Sequence, residues 1–468
     1  MTTRPTGKPY RLDDLIALLR EDIVVHGKYA PGDYLPSELA LVKQFGLSNK
    51  TVRKGLEQLM NAGLIEKIPR VGSIVTHAAK RPVSTLVLGS MHSLDRDMRL
   101  PGLIEQFEKL HPDIRVEVVN LAHGEHGGTM ESHLNAGLVD AAMINDEIFW
   151  GMTESGRELP FEPLSPPDGT YPFLNDMFAC SGTQLALPVI FSPVVLAYNK
   201  DHFREAGVQE PDGSWTWADA IECASRLAVP GQRYGLCFYP LSNNRWPVFP
   251  LQSGSGFQRD GEGKIRLQGT KLLENIRLYK SIVRDRDMFP DYMAESSRDF
   301  VHLFGRGQAS MIISTYMLLN EFAKEGPSYD ISPVPFNGEP RTLLTSIGIA
   351  VNRLSRNKPA ARTLAEFLVS ESAQRFIRER SLSIPAMKRV ADGPAEDEAG
   401  LNRPARFHLY RNIVPGYRRH RDLGLAPKSF YALRELLKQY VADLIDEHAL
   451  CAQLDQGVDG NARKEGAP

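Results

Sequence analysis

Cysteine is scarce in this chain: 468 residues contain four, Cys180, Cys223, Cys237 and Cys451. No pair has Cys-x-x-Cys spacing, and four in so long a chain are too few for a disulfide framework, so buried reduced thiols are expected. Long apolar runs are missing as well, and none approaches the roughly 18 residues that a membrane-crossing helix needs. The opening MTTRPTGKPYRLDD has no apolar core, no cleavage site and no lipid-accepting cysteine, which predicts a protein that stays in the cytoplasm. Net charge is also nearly absent, at -2, and no charged tail or low-complexity arm is indicated.

That small total hides an uneven distribution. Residues 1–80 hold 12 Lys and Arg against 8 Asp and Glu, leaving 43 against 49 for the remainder. A small basic module therefore precedes a mildly acidic body, and a basic module suits contact with nucleic-acid phosphates. With 42% hydrophobic and 24% charged residues the composition is that of a globular protein. The length calls for two or three domains.

The first helix is predicted from Leu12, Leu15, Ile16, Leu19 and Ile23, which fall on one face, with Gly27 as its stop. In LPSELALVKQF, Ser37 is placed to cap a short helix that turns Leu39, Val42 and Phe45 inward, and Gly46 breaks the chain. Ser48 then caps LSNKTVRKGLEQLMNAGL, whose inner stripe is Val52, Leu56, Leu59 and Met60. Its outer face, Asn49, Lys50, Thr51, Arg53 and Lys54, has the residue types of a recognition helix that touches phosphates and base edges in the major groove. IEKIPRVGSIV alternates as a two-stranded wing with Arg70 and Gly72 at its tip.

The order PGDYLPSE, SNKTVRKGLEQL, GLIEK and VGSIV resembles the winged helix-turn-helix of the GntR family of bacterial regulators, over about residues 8 to 77. The resemblance implies binding to a double-stranded DNA operator through Ser37, Ser48, Asn49, Lys50, Thr51, Arg53, Arg70 and Gly72. It also implies a homodimer, since such regulators bind two-fold operators. Asn49 stands where the family often has Arg, and Gly55 interrupts a helix at a cost of about 1 kcal/mol relative to Ala.

Beyond a short linker, STLVLGS reads as a strand, LPGLIEQFEKLH as a helix and IRVEVVNL as a second strand, which makes a βαβ unit and an α/β fold with a parallel sheet. The segments FEKLHPDIRVEVV, ALPVIFSPVVLAYNKDHFREAG, SWTWADAIECASRL, FGRGQASMIIS, YDISPVPF and SIGIAVNRLSRNKPAARTLAEFLVSESAQRFI resemble, in order, the solute-binding proteins of sugar ABC importers, the class of maltose-binding protein. The expected organisation is a small α+β winged helix-turn-helix over 1–78, a linker over 79–84, and a two-lobed α/β periplasmic-binding-protein-like domain over 85–468. The resemblance implies a small-molecule effector, a sugar, held in a cleft between the lobes. By position it assigns ligand contacts to His92, Asp146, Ser192, Asn243, Trp246, Tyr316 and Phe430. Ser314-Thr315-Tyr316 departs from the family, where Gly followed by Trp is common.

Other classes fit less well. A pyridoxal-phosphate domain of the aminotransferase type needs a Schiff-base Lys shortly before a PGxRxG-like stretch, and RFHLYRN before VPGYRRH supplies none. His123, His126 and His133 with Glu125 have the chemistry of zinc ligands, but the intervening glycines favour a solvated loop. SGSGFQ lacks the strand-GxGxxG-helix setting of a dinucleotide site. No catalytic constellation, cofactor or metal is expected. The chain reads as a transcription regulator controlled by a solute, with a solute-binding receptor of an ABC importer as the alternative.

Overall fold

The computed structural model describes residues 10–24, 28–69, 71–76, 84–121, 128–154, 158–261, 264–290, 294, 296–393 and 400–455. Gly27, Arg70, His123, Glu125 and His126 lie outside them.

Helix α1 (Leu12–Val24) turns Leu15, Ile16, Leu19 and Ile23 inward, the face its periodicity predicts. Helix α2 (Glu38–Phe45) is capped by the Ser37 hydroxyl, which accepts from Ala40 N–H at 3.2 Å. It ends at Gly46, whose φ of 64° is left-handed and free of strain only for glycine. Leu39, expected inside, is 67% exposed, while Leu41 and Phe45 are buried. Positions two apart lie on opposite sides of a helix, so burying Leu41 turns Leu39 outward.

Helix α3 (Asn49–Asn61) is capped by Ser48 through Thr51 N–H at 3.1 Å, and it buries Val52, Leu56 and Leu59. Met60 is 40% exposed instead of buried, since it follows Leu59 by about 100° around the helix. Gly55 has a packing reason. A Cβ there would stand 2.9 Å from Leu15 Cδ2, so the missing side chain lets α1 and α3 meet. Strands β1 (Ile65–Ile68) and β2 (Gly72–Val75) form the antiparallel wing, with Gly72 opposite Ile68.

The body opens with β3 (Ser84–Ser90), α4 (Leu94–Asp97), α5 (Leu100–Leu110) and β4 (Ile114–Asn120). β3 and β4 pair in parallel, as the βαβ reading requires. Next come α6 (Gly128–Asn135), β5 (Ala141–Asn145) and α7 (Asp146–Thr153). His133 lies on α6, with its Nδ1 2.8 Å from Thr129 O, so the loop expected there is a helix from Gly128 onward. Among the described residues no cluster of His, Cys, Asp and Glu is arranged to hold a metal.

The main sheet runs β4, β3, β5, then strands Thr342–Val351, Leu187–Asn199, Ala309–Thr315 and Tyr234–Cys237. Strand Leu187–Asn199 is buried at every residue and belongs to both lobes. Its first half pairs with Thr342–Val351 and its second half with Ala309–Thr315, so it crosses between them. One apolar core, including Leu86, Leu103, Phe107 and Leu364, sits in the first lobe. A larger one, including Trp217, Phe249 and Ile276, fills the second.

Helix α1 of the N-terminal module lies against α5 of the first lobe. No disulfide joins the cysteines: Cys223, Cys237 and Cys451 are buried, and Cys180 is half-buried. No described helix is long and apolar enough to cross a membrane.

Candidate functional site

On the N-terminal module, the two Ser caps and the Gly46 turn leave the first turns of α3 projecting. Ser37, Ser48, Asn49, Lys50, Arg53 and Lys54 are exposed, and Thr51 and Gly72 are half-buried. Thr51 is turned back, its hydroxyl 2.8 Å from that of Ser48. Glu38 was not singled out by the sequence, yet it organises this face. It receives Arg53 Nε and Lys67 Nζ, each at 2.7 Å, and so ties α2, α3 and the wing together. Hydrogen bonds from Arg53 and then Lys67 hold its carboxyl below the usual range. The only sequence signal was a Glu just after the capping Ser, which also reads as an ordinary first-turn acid.

Between the lobes lies a cavity of about 460 Å³. The loop after β3 contributes Ser93, Arg96 and Asp97, and the start of α7 contributes Asp146 and Glu147. Asn244 and Arg245 face them, with Ser296, Ser297 and Arg298 at the start of helix Ser297–Gly305. Arg96 bonds Asp97 through Nε at 2.6 Å and also reaches Glu321, which Arg298 Nε meets at 3.0 Å. Burial pushes the Asp97 carboxyl up to about 6, against the pull of Arg96.

The structure brings two of the expected ligand residues together at one buried histidine. His420 Nδ1 is 3.3 Å from Asp146 Oδ2, and its Nε2 is 3.0 Å from Asn243 O. Burial opposes protonation of His420, but the hydrogen bond and charge of Asp146, together with the charge of Glu147 and the bond to Asn243 O, outweigh it and raise its pKa. Asn243 Nδ2 also donates to Glu147 at 2.6 Å, which links the second lobe to the first. His420 was not legible beforehand, since its partners come from distant segments.

The aromatic residues sit elsewhere than a ligand-facing role requires. Trp246 is 1% exposed and stacks on Phe430 with ring centres 4.8 Å apart. Phe430 is enclosed by Trp246, Trp150 and His420. Tyr316 is fully buried, and its hydroxyl donates to Phe407 O at 2.8 Å. In this conformation all three are core residues. Ser192 is buried at the lobe crossing, where its Oγ accepts from Tyr316 N–H at 2.8 Å and donates to Pro193 O at 2.7 Å. His92 is exposed at the rim, 3.8 Å from Asp95. Of the seven, Asp146 alone is among the cavity's lining.

Two α/β lobes joined by crossing strands around a polar cleft define a solute-binding protein fold. Residues 97–375 match the model of the bacterial extracellular solute-binding proteins, and the chain belongs to that family. Residues 12–75 match the model of the bacterial regulatory proteins of the gntR family, so a DNA-binding domain precedes the solute-binding one. Neither family is one of enzymes.

A galactooligosaccharide-binding protein of Bacillus subtilis (strain 168) is 26% identical over 222 residues, 45% of this chain and 51% of the relative. The chain thus spans about half the length of the curated relatives it matches. An ABC substrate-binding protein of Listeria monocytogenes, solved in complex with cycloalternan, superposes with TM-score 0.68 at 20% identity, covering 81% of this chain and 99% of that one. Maltose-bound MalE3 of T. maritima gives TM-score 0.68 at 17% identity, covering 80% and 99%. At these identities the likeness is one of fold.

Proposed function

We propose that this chain is a transcription regulator whose affinity for a DNA operator is set by a small solute, a sugar or oligosaccharide, bound between the lobes. The observation that carries the reading is that one chain presents an exposed, basic helix α3 and, between its lobes, an open cavity of about 460 Å³ with many polar residues in its lining. Closure of two lobes on a ligand is a two-state change that a regulator can use. The relatives described above as binding galactooligosaccharide, cycloalternan and maltose support a saccharide.

In this reading the DNA-binding domain spans 1–78, the linker 79–84 and the effector domain 85–468. The protein works in the cytoplasm as a homodimer on a two-fold operator. Ser37, Ser48, Asn49, Lys50, Thr51, Arg53, Arg70 and Gly72 form the DNA face. Asp146 meets the ligand in the cleft, and Asn243 positions Glu147 beside it.

The test is a salt titration of operator binding together with a thermal-shift screen against saccharides. Lys50→Ala should weaken binding and lower the salt slope by about one. At least one saccharide should raise the melting temperature. An unchanged slope, or stabilisation by no saccharide, would count against the corresponding half of the proposal.

A further inference from the structure

The carboxylates of the cleft all have donors. Asp97 takes Arg96, Asp146 takes Ser346 N–H at 2.8 Å besides facing His420, and Glu147 takes Asn243 and the Tyr431 hydroxyl. Arg245 is the exception among the charges. It is 2% exposed and lines the cavity, yet no carboxylate among the described residues pairs with it. Its Nε donates to Ile313 O at 3.0 Å, its Nη1 makes a long 3.4 Å contact to Asn244 O, and its Nη2 bonds no described residue. Burial alone moves its pKa down to about 10, which leaves it protonated at neutral pH.

A buried cation without an opposite charge is costly, and proteins normally pair it. Here the backbone carbonyls fix the guanidinium in place while part of its donor fork remains for a guest. Ser296, Ser297 and Arg298 at the start of helix Ser297–Gly305 line the same cavity. That helix end is already closed by a capping box, Ser296 Oγ accepting from Arg298 N–H at 3.2 Å and Asp299 Oδ2 from Ser296 N–H at 2.9 Å, which leaves Arg245 as the open cationic donor.

Resting on the reading of the cleft as the effector site, we propose that the effector carries an anionic group seated on Arg245. The group is a phosphate ester or a carboxylate on a polyhydroxylated body. A guanidinium fork binds either with charge-assisted, often bidentate hydrogen bonds. The sugar hydroxyls then meet the polar groups of the opposite wall, Ser93 and Asp146.

The test is calorimetric titration of the full chain with matched pairs: glucose with glucose 6-phosphate, and galactose with galacturonate. In the wild type the charged member of at least one pair should bind about tenfold or more tightly than its neutral partner, and the pair that responds distinguishes phosphate from carboxylate. Arg245→Gln should abolish that preference, and Arg245→Lys should retain part of it. The wild-type comparison stands even if Arg245→Gln fails to fold. Equal binding of charged and neutral members would overturn the anionic effector and leave a saccharide cleft intact. A preference that survives in Arg245→Gln would overturn the assignment to Arg245. Binding of no member of either pair would count against both readings.

Discussion

Arg20 of α1 and Asp113 of the first lobe form an ion pair, Nη1 to Oδ1 at 2.8 Å, with side-chain exposures of 7% and 16%. The pair spans the contact between the DNA-binding domain and the solute-binding domain, and it fastens the first to one lobe of the second. Asp113→Asn strands a buried guanidinium whose Nε already lacks a partner. The expected cost is about 3 kcal/mol. Calorimetric unfolding of the full chain should then show the DNA-binding domain melting earlier and apart from the body. An unaltered melting profile would mean that the pair does not hold the two together. Replacing both residues by Leu should cost less than either single replacement, since no buried charge is left alone.

His111 lies beside this contact. Burial, with a smaller push from the Arg20 charge, holds its imidazole down to about 4. Between that value and the ordinary 6.5 an unfolded chain takes up a proton that the folded one refuses. The stability present above pH 6.5 is therefore lost as pH falls toward 4. Asp97 has the opposite sign: its carboxyl, raised to about 6, contributes stability at low pH that is lost as pH rises through 6. The informative quantity is thus a difference between proteins. Wild type should lose more stability than His111→Asn on going from pH 7 to pH 5, measured by urea unfolding. Equal losses would exclude His111 as a source of the pH dependence.

Gly55→Ala pits helix propensity against packing. Alanine favours the helix by about 1 kcal/mol, but its Cβ would meet Leu15 Cδ2 at 2.9 Å, and Leu15 is fully buried with little room to move. Overpacking of this kind costs about 1–3 kcal/mol, so a net loss is expected. Adding Leu15→Ala should reduce the penalty that Gly55→Ala imposes. A more stable Gly55→Ala would show that α1 and α3 do not need the close approach.

The DNA-binding domain was legible in the sequence because its signals are local. Ser37 and Ser48 cap within three residues of themselves, Gly46 supplies its own left-handed turn, and the stripe of α1 repeats at helical spacing. Leu39 and Met60 failed because a short stripe leaves the exact helical face open. The first βαβ unit was legible for the same local reason. The interlobe site was not. Whether Trp246 faces a cleft or a core depends on Phe430, which stacks on it from the far end of the chain. Arg96, Arg245 and Arg298 reach one cavity from three separate segments, so no spacing announces them.

Control of DNA by the cleft is tested most directly by operator affinity, measured with and without the ligand that stabilises the full chain. The DNA is a fragment from the region upstream of the protein's own gene. Ligand and operator must affect each other equally, with a coupling typically of about 1–3 kcal/mol. Regulation through the cleft predicts that saturating ligand changes operator affinity about five- to 150-fold, and that saturating operator changes ligand affinity by the same factor. Operator affinity that stays the same at saturating ligand would contradict it.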